Sequence, residues 1–408
     1  ENTVKKNGNE EWGINHTGVS LDLPKLLNKK LGIVEELTKG IDFLFKKNKV
    51  TKFVGTAKII SSNLIEINNN GKKEKISADK IIIATGSNPT SLPNIHVDEK
   101  RIVTSTGALN LSEVPKKMIV IGTGVIGLEM RTVWRRLGSD VEVIEYLPRI
   151  LPGMDNEVAD KFLKIMQKQG LTFKLNHAVE SAKIENKKVS LSVKDTITGD
   201  TKNLEADVVL VAVGRKPNTE GLGLDSLNME IDRNGFITTN EKFQTSISNI
   251  YAIGDVIRGP MLAHKAEEDG VAAVEIINGE AGHVDYNLVP GIVYTSPEVA
   301  VIGKTEEELK ENQISYNKGI FPLSANSRAK AISHTEGFVK ILSDKSTDKI
   351  LGAHMIGHEA GTVIHELSMA MGFGASSEDV ARICHGHPTV NEAIKEAALA
   401  TYSKAIHF

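Results

Sequence analysis

Cysteine is almost absent from this 408-residue sequence, in which Cys384 is the only one. A single cysteine cannot form an intrachain disulfide, and its scarcity fits a reducing compartment. Long apolar runs are also missing. The longest are the size of strands, so no membrane-spanning helix is expected. The formal net charge is only −3, which gives no reason to expect nucleic acid or a membrane surface as a partner.

A targeting signal is likewise not recognisable at the start. The sequence opens with the polar stretch ENTVKKNGNEEW and has no initiator methionine, which predicts that it begins inside a longer protein. Its length exceeds one ordinary hydrophobic core, so we expect roughly two to four domains. The helical spacing of apolar residues from about Leu21 to Asn48 predicts either one long helix or two helices that meet near Gly32 or Gly40.

The stretch from Met118 to Glu145 carries the strongest motif. Four apolar residues, 118–121, lead into GTGVIG (122–127), an amphipathic run follows to about Leu137, and a second apolar run ends at Glu145. This order of strand, glycine turn, helix, strand and acidic residue is typical of a dinucleotide-binding βαβ unit. The alternative is an ordinary glycine-rich loop, but the complete context favours nucleotide binding.

Each part of this motif has a physical task. Gly122 permits the tight turn, Gly124 lets the backbone approach a pyrophosphate, and Gly127 lets the helix pack closely on the sheet. The N–H groups at the helix N-terminus attract phosphates. Glu145 can accept hydrogen bonds from both ribose hydroxyls and would repel a 2′-phosphate, so it favours NAD over NADP. Arg131 shares the helix face of Gly127. There it either crowds the helix against the sheet or reaches towards the pyrophosphate, and we expect crowding.

Two other stretches have a common pattern. DKIIIATG (79–86) is followed by Ser87, and DVVLVAVG (207–214) is followed by RKPN. Both consist of an acidic residue, an apolar strand and a glycine turn. Each could be a plain exit from a strand into a loop. The pair nevertheless predicts two related nucleotide-binding domains, of which only the second retains a glycine-rich βαβ start.

A further strand, IYAIGD (250–255), places Asp255 beside a glycine. Its carboxylate can accept a hydrogen bond from a sugar or ribityl hydroxyl, and the alternative is a common turn aspartate. The segment 261–264 then opens a helix that runs to about Asn278. The N-terminus of this helix could stabilise negative charge on a reduced isoalloxazine. We interpret His264 as a capping or packing residue rather than a catalyst.

The last motif is CHGHPTVNE (384–392). Pro388 can start a helix, which would leave His387 on an exposed turn and put Glu392 about one helical turn inside. Glu392 can then orient the imidazole, as in a general acid/base pair. The alternatives are ordinary helix-start residues, or a metal site formed by His385 and His387. The single cysteine follows an apolar helix and is expected to be a small buried residue.

Taken in order, the motifs resemble those of the dihydrolipoamide dehydrogenases in the pyridine nucleotide–disulfide oxidoreductase family. The matching stretches are ATGS (84–87), GTGVIGLE (122–129), GRKPN (214–218), IYAIGDV (250–256), GPMLAHKAEEDG (259–270), FPLSANSRAKA (321–331) and HPTVNE (387–392). GPMLAHKAEEDG and SANSRAKA, with Glu145, favour this group over the NADP-using glutathione reductases.

The resemblance implies an α/β fold with two Rossmann-like nucleotide-binding domains, the first one incomplete, and a C-terminal α+β dimerisation domain. The predicted FAD-binding domain comprises residues 1–88 and 221–288. The predicted NAD-binding domain comprises residues 89–220, and the dimerisation domain residues 289–408. Strands and helices alternate in the sequence from about Val289, as the last assignment requires.

The resemblance also implies two cofactors, FAD and NAD, and no metal. FAD would be held by Ala57, which stands where the family carries glycine, and by Thr85, Gly86, Ser87, Asp255, Met261, Leu262, Ala263 and His264. NAD would be held by Gly122, Thr123, Gly124, Val125, Ile126, Gly127, Leu128, Glu129, Glu145, Val179 and Gly214. His387 would be the acid/base, oriented by Glu392 and acting on the partner subunit's dithiol in a homodimer.

The implied reaction oxidises dihydrolipoamide on the lipoyl domains of 2-oxo acid dehydrogenase complexes and passes electrons through a disulfide and FAD to NAD. The implied location is the mitochondrial matrix. The sequence departs from the family in two ways. Arg131 replaces a glycine, and the GxGxxG and Cys-x4-Cys motifs at the family's start are absent. We therefore expect an N-terminally truncated form that does not turn over lipoamide.

Two other hypotheses stay open from the sequence. The chain could be a non-catalytic NAD-binding subunit that dimerises through its C-terminal domain. A flavin-free protein that still docks on a dehydrogenase complex would favour that hypothesis. The chain could also be a related reductase for another substrate, such as glutathione or a metal ion, which a substrate screen would separate.

Overall fold

A computed structural model describes residue 13 and residues 18–408. Its α-helices, in chain order, are α1 (Leu23–Lys47), α2 (Ser105–Ala108), α3 (Val125–Leu137), α4 (Asn156–Lys168), α5 (Ala263–Ile277), α6 (Glu306–Glu311), α7 (Ser327–Ala331), α8 (Ala360–Gly372), α9 (Ser377–Arg382) and α10 (Glu392–Ala400).

The β-strands, in chain order, are β1 (Thr56–Ser61), β2 (Leu64–Asn69), β3 (Lys72–Ser77), β4 (Ile81–Ile83), β5 (Ser87–Pro89), β6 (Ile102–Val103), β7 (Lys117–Ile121), β8 (Asp140–Ile144), β9 (Thr172–Lys174), β10 (His177–Glu185), β11 (Lys188–Asp195), β12 (Thr201–Ala206), β13 (Val208–Val211), β14 (Arg215–Pro217), β15 (Ile250–Ala252), β16 (Gly291–Val293), β17 (Glu298–Gly303), β18 (Tyr316–Pro322), β19 (Phe338–Asp344) and β20 (Ile350–Gly357).

Helix α1 is a single helix, so the alternative of two helices is wrong. It begins after Asp22, whose carboxylate accepts a hydrogen bond from the backbone N–H of Lys25 at 3.0 Å. This is an ordinary N-cap. The chain continues through Gly32 and Gly40 in helical conformation, and only Leu23 among its residues is buried.

One compact unit consists of the described residues up to Thr90 together with Arg215–Val284. Its parallel strands β4 and β15 lie side by side and form the middle of its apolar core. Strands β5 and β14 pair antiparallel. Strands β1, β2 and β3 form an antiparallel meander, and the turn between β2 and β3 has positive φ angles of 50° at Asn70 and 89° at Gly71.

The other unit consists of Ser91–Gly214 and Asp285–Phe408. Its first part is built on a five-stranded parallel sheet of order β6-β13-β7-β8-β9. Strand β13 is buried throughout, as expected for a parallel strand covered on both faces. Strands β10, β11 and β12 form a separate antiparallel sheet. The chain turns between β10 and β11 with positive φ at Asn186 and Lys187.

The second part of this unit is an antiparallel sheet of order β16-β17-β20-β19-β18, against which α8 and α10 pack. The predicted α+β character of this region is confirmed.

The predicted bounds of the FAD-type domain lie within a few residues of the first unit. The predicted NAD-type and C-terminal domains fall together in the second unit, so the division into three domains stays a prediction. Within the described residues, no helix has both the length and the apolar character needed to cross a membrane.

Candidate functional site

The glycine turn after β7 has the geometry that the motif predicts. Gly122 has a positive φ of 103°, and a Cβ atom there would lie 2.4 Å from the carbonyl oxygen of Ala212. A Cβ atom at Gly127 would lie 2.5 Å from the carbonyl oxygen of Gly122. Side chains at both positions are therefore excluded by backbone. Gly124 differs, because no described residue lies within 4 Å of its Cβ position. The space in front of this glycine is open for a ligand.

The N-terminus of α3 fits a bound pyrophosphate. Its N-cap is Gly124, so no side chain caps the first turn. The first amides of an α-helix have no partner within the helix, and a helix of 13 residues carries a positive dipole end there. Phosphate oxygens are the natural acceptors for such a site. The residues present therefore fit the dinucleotide that the motif predicts.

Glu145 connects the glycine turn to the end of β8. Its Oε2 accepts hydrogen bonds from the backbone N–H of Thr123 at 2.8 Å and the hydroxyl of Thr123 at 2.6 Å. Its Oε1 accepts from the backbone N–H of Leu147 at 2.8 Å. A carboxylate offers about four acceptor positions, so one is left for a ribose hydroxyl. Binding of the ribose by Glu145 stays a prediction.

The other residues predicted to hold NAD lie around this turn. The backbone N–H of His177 donates to the carbonyl oxygen of Glu145 at 2.8 Å, which joins the start of β10 to the backbone of Glu145. A contact of Val179 with NAD stays a prediction. Gly214 follows β13 with a positive φ of 116°. Glu129 is largely buried, and burial raises its pKa although it accepts a hydrogen bond from the backbone N–H of Tyr294 at 2.8 Å.

Arg131 lies inside the second unit rather than at its surface. Its side chain is fully buried, and its guanidinium carbon lies 3.8 Å from the centre of the Phe173 ring. None of its three guanidinium nitrogens has a hydrogen-bond partner among the residues that the structure describes. A nucleotide bound outside the fold is out of reach of such a side chain. The placement supports crowding of α3 over contact with the pyrophosphate.

Ser87 and Asp255, both of which are predicted to hold FAD, meet in the first unit. The hydroxyl of Ser87 donates to Oδ2 of Asp255 at 2.5 Å, which joins the ATGS turn to the Gly-Asp turn across 168 positions. Arg215 donates from Nε to the same hydroxyl at 2.7 Å and from Nη2 to the Ser87 carbonyl at 2.6 Å. Sequence reasoning quoted Arg215 within GRKPN but assigned it no role.

The ATGS and GRKPN turns are also joined by their backbones. The hydroxyl of Thr85 donates to the carbonyl oxygen of Asn218 at 2.7 Å, and the N–H of Asn218 donates to the carbonyl oxygen of Gly86 at 2.9 Å. Ala57 lies on β1, exposed and opposite Ile67. Its contact with FAD stays a prediction.

Helix α5 provides a second N-terminus without a side-chain cap. Its N-cap is Leu262. Met261, Leu262 and His264 are half-buried, whereas Ala263 is exposed. A 15-residue helix that starts in this way can stabilise an anionic group. The residues present fit the flavin that the resemblance implies.

A buried ion pair fixes the turn before Asp255, and sequence reasoning missed it. Lys265 and Asp269 are both fully buried and lie 2.8 Å apart. Lys265 donates to the carbonyl oxygen of Gly254 at 3.0 Å, and Asp269 accepts from the Gly254 N–H at 2.9 Å. Opposite charges four positions apart on one helix were the available signal.

The predicted acid/base pair is assembled in the second unit. Nδ1 of His387 lies 2.9 Å from Oε1 of Glu392, and 71% of the histidine side chain is exposed. Oε2 of Glu392 accepts from the backbone N–H of Thr389 at 2.9 Å. Partial burial alone would raise the pKa of Glu392. The hydrogen bonds from Thr389 and His387 outweigh it, so the pKa lies below its usual value.

Two details of this loop differ from the prediction. Helix α10 begins at Glu392, so the expectation that Pro388 starts it is wrong. The hydroxyl of Thr389 instead donates to the carbonyl oxygen of Gly386 at 2.7 Å, which closes a turn around the proline. Cys384 is exposed, so its predicted burial is wrong, because α9 already ends at Arg382.

His385, which the sequence offered as a possible metal ligand, contacts a carboxylate. Its Nε2 lies 2.7 Å from Oε1 of Glu366, and its Nδ1 lies 3.0 Å from the carbonyl oxygen of Ile383. No group of three or more potential metal ligands occurs among the described residues. Sequence reasoning did not find Glu366, which lies 19 positions away.

Comparison with known proteins covers nearly the whole chain. A family model described as pyridine nucleotide-disulphide oxidoreductase matches residues 4–270, and the model of that family's dimerisation domain matches residues 289–398. The mitochondrial dihydrolipoyl dehydrogenase of Pisum sativum is 53% identical over 396 residues, which cover 97% of this chain and 79% of that protein. The corresponding protein of Dictyostelium discoideum is 52% identical, with coverage of 97% and 82%.

Among solved structures, the chain is similar to LpdA from Mycobacterium tuberculosis. The TM-score is 0.87 at 25% sequence identity, and the match covers 94% of this chain and 84% of that one. The flavoprotein disulfide reductase RclA from Escherichia coli matches with a TM-score of 0.84 at 25% identity, over 93% of this chain and 86% of that one.

Proposed function

Because this chain belongs to the pyridine nucleotide–disulphide oxidoreductase family, we propose that it acts as a dihydrolipoyl dehydrogenase, which oxidises protein-bound dihydrolipoamide and reduces NAD. Relatives that bear this name are more than half identical over almost its full length. The observation that carries the proposal is the exposed His387 imidazole held at 2.9 Å by Glu392.

In the proposed reaction, His387 of this chain serves as the proton acceptor. Glu392 can only accept at Nδ1 when ionised, so a neutral His387 is held with its proton on that nitrogen. Nε2 is then left as the acceptor for the proton of a dithiol. Once protonated, the imidazolium is stabilised by the Glu392 carboxylate, whose lowered pKa keeps it ionised at neutral pH.

FAD and NAD are the cofactors of this proposal. When bound, FAD supplies the relay of a hydride to nicotinamide. Ser87, Asp255 and the N-terminus of α5 would hold FAD. The glycine turn, Glu145 and the N-terminus of α3 would hold NAD. The redox disulfide that the resemblance implies has no counterpart among these 408 residues, where Cys384 is the only cysteine. That these 408 residues alone do not turn over lipoamide therefore stays a prediction, and the proposed activity is that of the enzyme with its disulfide.

The partners follow from the same proposal. The match to the family's dimerisation domain over residues 289–398 supports a homodimer. Dihydrolipoamide on the lipoyl domains of 2-oxo acid dehydrogenase complexes is the substrate. The proposed location is the mitochondrion, since the pea and Dictyostelium relatives are named as mitochondrial. A non-catalytic subunit and a reductase for another substrate are not favoured, because the dihydrolipoyl dehydrogenases match the chain almost throughout.

The test uses the protein encoded by the complete gene, purified with its flavin. We expect it to oxidise dihydrolipoamide with NAD. We expect His387→Gln to lower that rate by about a hundredfold or more, the usual contribution of a general base. The reduction of ferricyanide by NADH needs no thiol proton acceptor and should stay unchanged. A wild-type protein that ignores dihydrolipoamide, or a His387→Gln variant as fast as wild type, would contradict the proposal.

A further inference from the structure

The loop that carries His387 has no regular structure of its own. It spans the residues between the end of α9 at Arg382 and the start of α10 at Glu392. An exposed imidazole on an irregular loop has freedom to rotate, and general-base catalysis depends on its geometry. The bonds that anchor this loop therefore bear on the rate of proton transfer.

Glu366 on α8 anchors the loop at both ends. Its Oε1 lies 2.7 Å from Nε2 of His385, two residues before His387. Its Oε2 accepts a hydrogen bond from the side-chain amide of Asn391 at 2.6 Å, one residue before Glu392. One carboxylate thus bridges the two segments that bear the acid/base pair.

The contact with His385 is shielded and directional. Only 5% of the His385 side chain is exposed, against 71% for His387. The other ring nitrogen of His385, Nδ1, faces the carbonyl oxygen of Ile383 at 3.0 Å. A carbonyl and a carboxylate both accept hydrogen bonds only. Each ring nitrogen of His385 therefore faces its own acceptor, which fixes the orientation of the ring between Glu366 and Ile383.

We propose that Glu366 is a positioning residue for the His387–Glu392 pair, an inference that rests on the proposed function. By holding His385 and Asn391 to the same carboxylate, it fixes the separation of His387 from Glu392. Glu392 then reaches Nδ1 of His387 with one oxygen and the Thr389 N–H with the other. Without Glu366 this pair forms for only part of the time.

The test is a double-mutant cycle in the complete flavin-loaded enzyme. We expect Glu366→Gln to lower kcat for dihydrolipoamide oxidation by about tenfold or more while KM changes less than about twofold, since orientation of the base acts on the chemical step. Glu392→Gln lowers kcat directly. Because Glu366 acts through Glu392, the double variant should be no slower than Glu392→Gln alone, which is the signature of coupled residues.

Two controls separate positioning from damage to the fold. NADH–ferricyanide activity should stay at the wild-type level in every variant. Glu378→Gln changes an exposed glutamate that pairs with Arg382 on α9, and kcat should stay unchanged. If Glu366→Gln does not yield a folded dimer, Asn391→Ser removes one end of the anchor instead. It should lower kcat in the wild-type background and should not lower it further in the Glu392→Gln background.

A spectroscopic readout is independent of turnover. In histidine-labelled protein, the nitrogen chemical shifts of His387 should report one neutral tautomer, with the proton on Nδ1, in wild type and Glu378→Gln. In Glu366→Gln they should report a mixture. Multiplicative effects of Glu366→Gln and Glu392→Gln, or an unchanged kcat in Glu366→Gln, would overturn the inference. An inactive wild-type enzyme would instead overturn the proposed function.

Discussion

Arg131 has a buried guanidinium group, and the burial of its charge destabilises the fold. It lies on α3, one helical turn after Gly127, and is fully buried. Within the described part of the chain its three nitrogens have no hydrogen-bond partner. The perturbation is Arg131→Met, which keeps a long unbranched side chain and removes the charge. We expect the variant to be more stable than wild type.

The magnitude follows from the pKa. Burial lowers the pKa of Arg131 from 12.5 to about 9. At about 1.4 kcal/mol for each unit, keeping the charge in the fold costs about 5 kcal/mol. The unfolded chain holds this proton more tightly. The cost is therefore fully present below pH 9 and lessens only as the pH rises from about 9 to 12.5.

Two terms offset this cost. Stacking on Phe173 returns about 1 to 2 kcal/mol, and methionine fills less of the space than arginine, which forfeits about 1 kcal/mol of packing. The net expectation is that Arg131→Met raises the free energy of unfolding by about 2 kcal/mol. Replacements of buried charges by apolar side chains have gained similar amounts.

The assay is urea unfolding at pH 7 followed by circular dichroism, with NAD affinity measured beside it. Arg131→Lys keeps a buried charge and should gain nothing. Arg131→Gly removes the charge, but glycine destabilises a helix by about 1 kcal/mol and leaves a cavity. The free energy of unfolding should therefore rise less in Arg131→Gly than in Arg131→Met. A methionine variant no more stable than wild type would refute the reasoning, as would a lysine variant that gains as much.

Three further predictions concern buried or partly buried charges. Burial lowers the pKa of His354 to about 4 in spite of nearby Asp155, whereas an unfolded histidine titrates near 6.5. The unfolded chain therefore takes up this proton first, and stability falls between about pH 6.5 and 4. In His354→Leu the loss between pH 7 and 4.5 should be about 2 kcal/mol smaller in urea unfolding, and an equal loss would contradict the assignment. Lys265→Met removes the cation that pairs with the buried Asp269, so it should cost about 3 to 5 kcal/mol and lower flavin retention. Lys265→Met/Asp269→Leu should recover much of the stability, and a double variant less stable than the single one would count against this. Glu145→Gln removes the charge that repels a 2′-phosphate, so the ratio of the Kd values for NADP and NAD should fall, and an unchanged ratio would show that Glu145 does not select the cofactor.

The sequence predicts the parts of each site that are close together along the chain. The glycine turn between β7 and α3 follows from a local pattern, and so does the pairing of His387 with Glu392 five positions later. The anchors of these parts could not be predicted in the same way. Arg215 contacts Ser87 across 128 positions, and such contacts depend on strand register, which periodicity alone does not give.

Predictions from local sequence preferences were also wrong where a specific hydrogen bond overrides the preference. Pro388 is compatible with the first turn of a helix, yet Thr389 bonds back to Gly386 and the helix begins at Glu392. The burial of Cys384 was predicted from the apolar helix before it. That helix ends at Arg382, and the chain beyond it is held by His385, whose partner Glu366 belongs to α8.

The two stretches of common pattern, DKIIIATG and DVVLVAVG, lead into one structural element. Each enters a buried strand, β4 or β13, and ends at a glycine with positive φ, 72° at Gly86 and 116° at Gly214. The strands that follow them, β5 and β14, then pair with each other, with Ser87 opposite Pro217. Arg215 opens the second of these strands and bonds to Ser87, which in turn bonds to Asp255. Arg215, near the end of the predicted NAD-binding domain, thus holds Ser87, which is predicted to bind FAD. Substitution of Arg215 should therefore lower flavin retention more than it lowers the affinity for NAD.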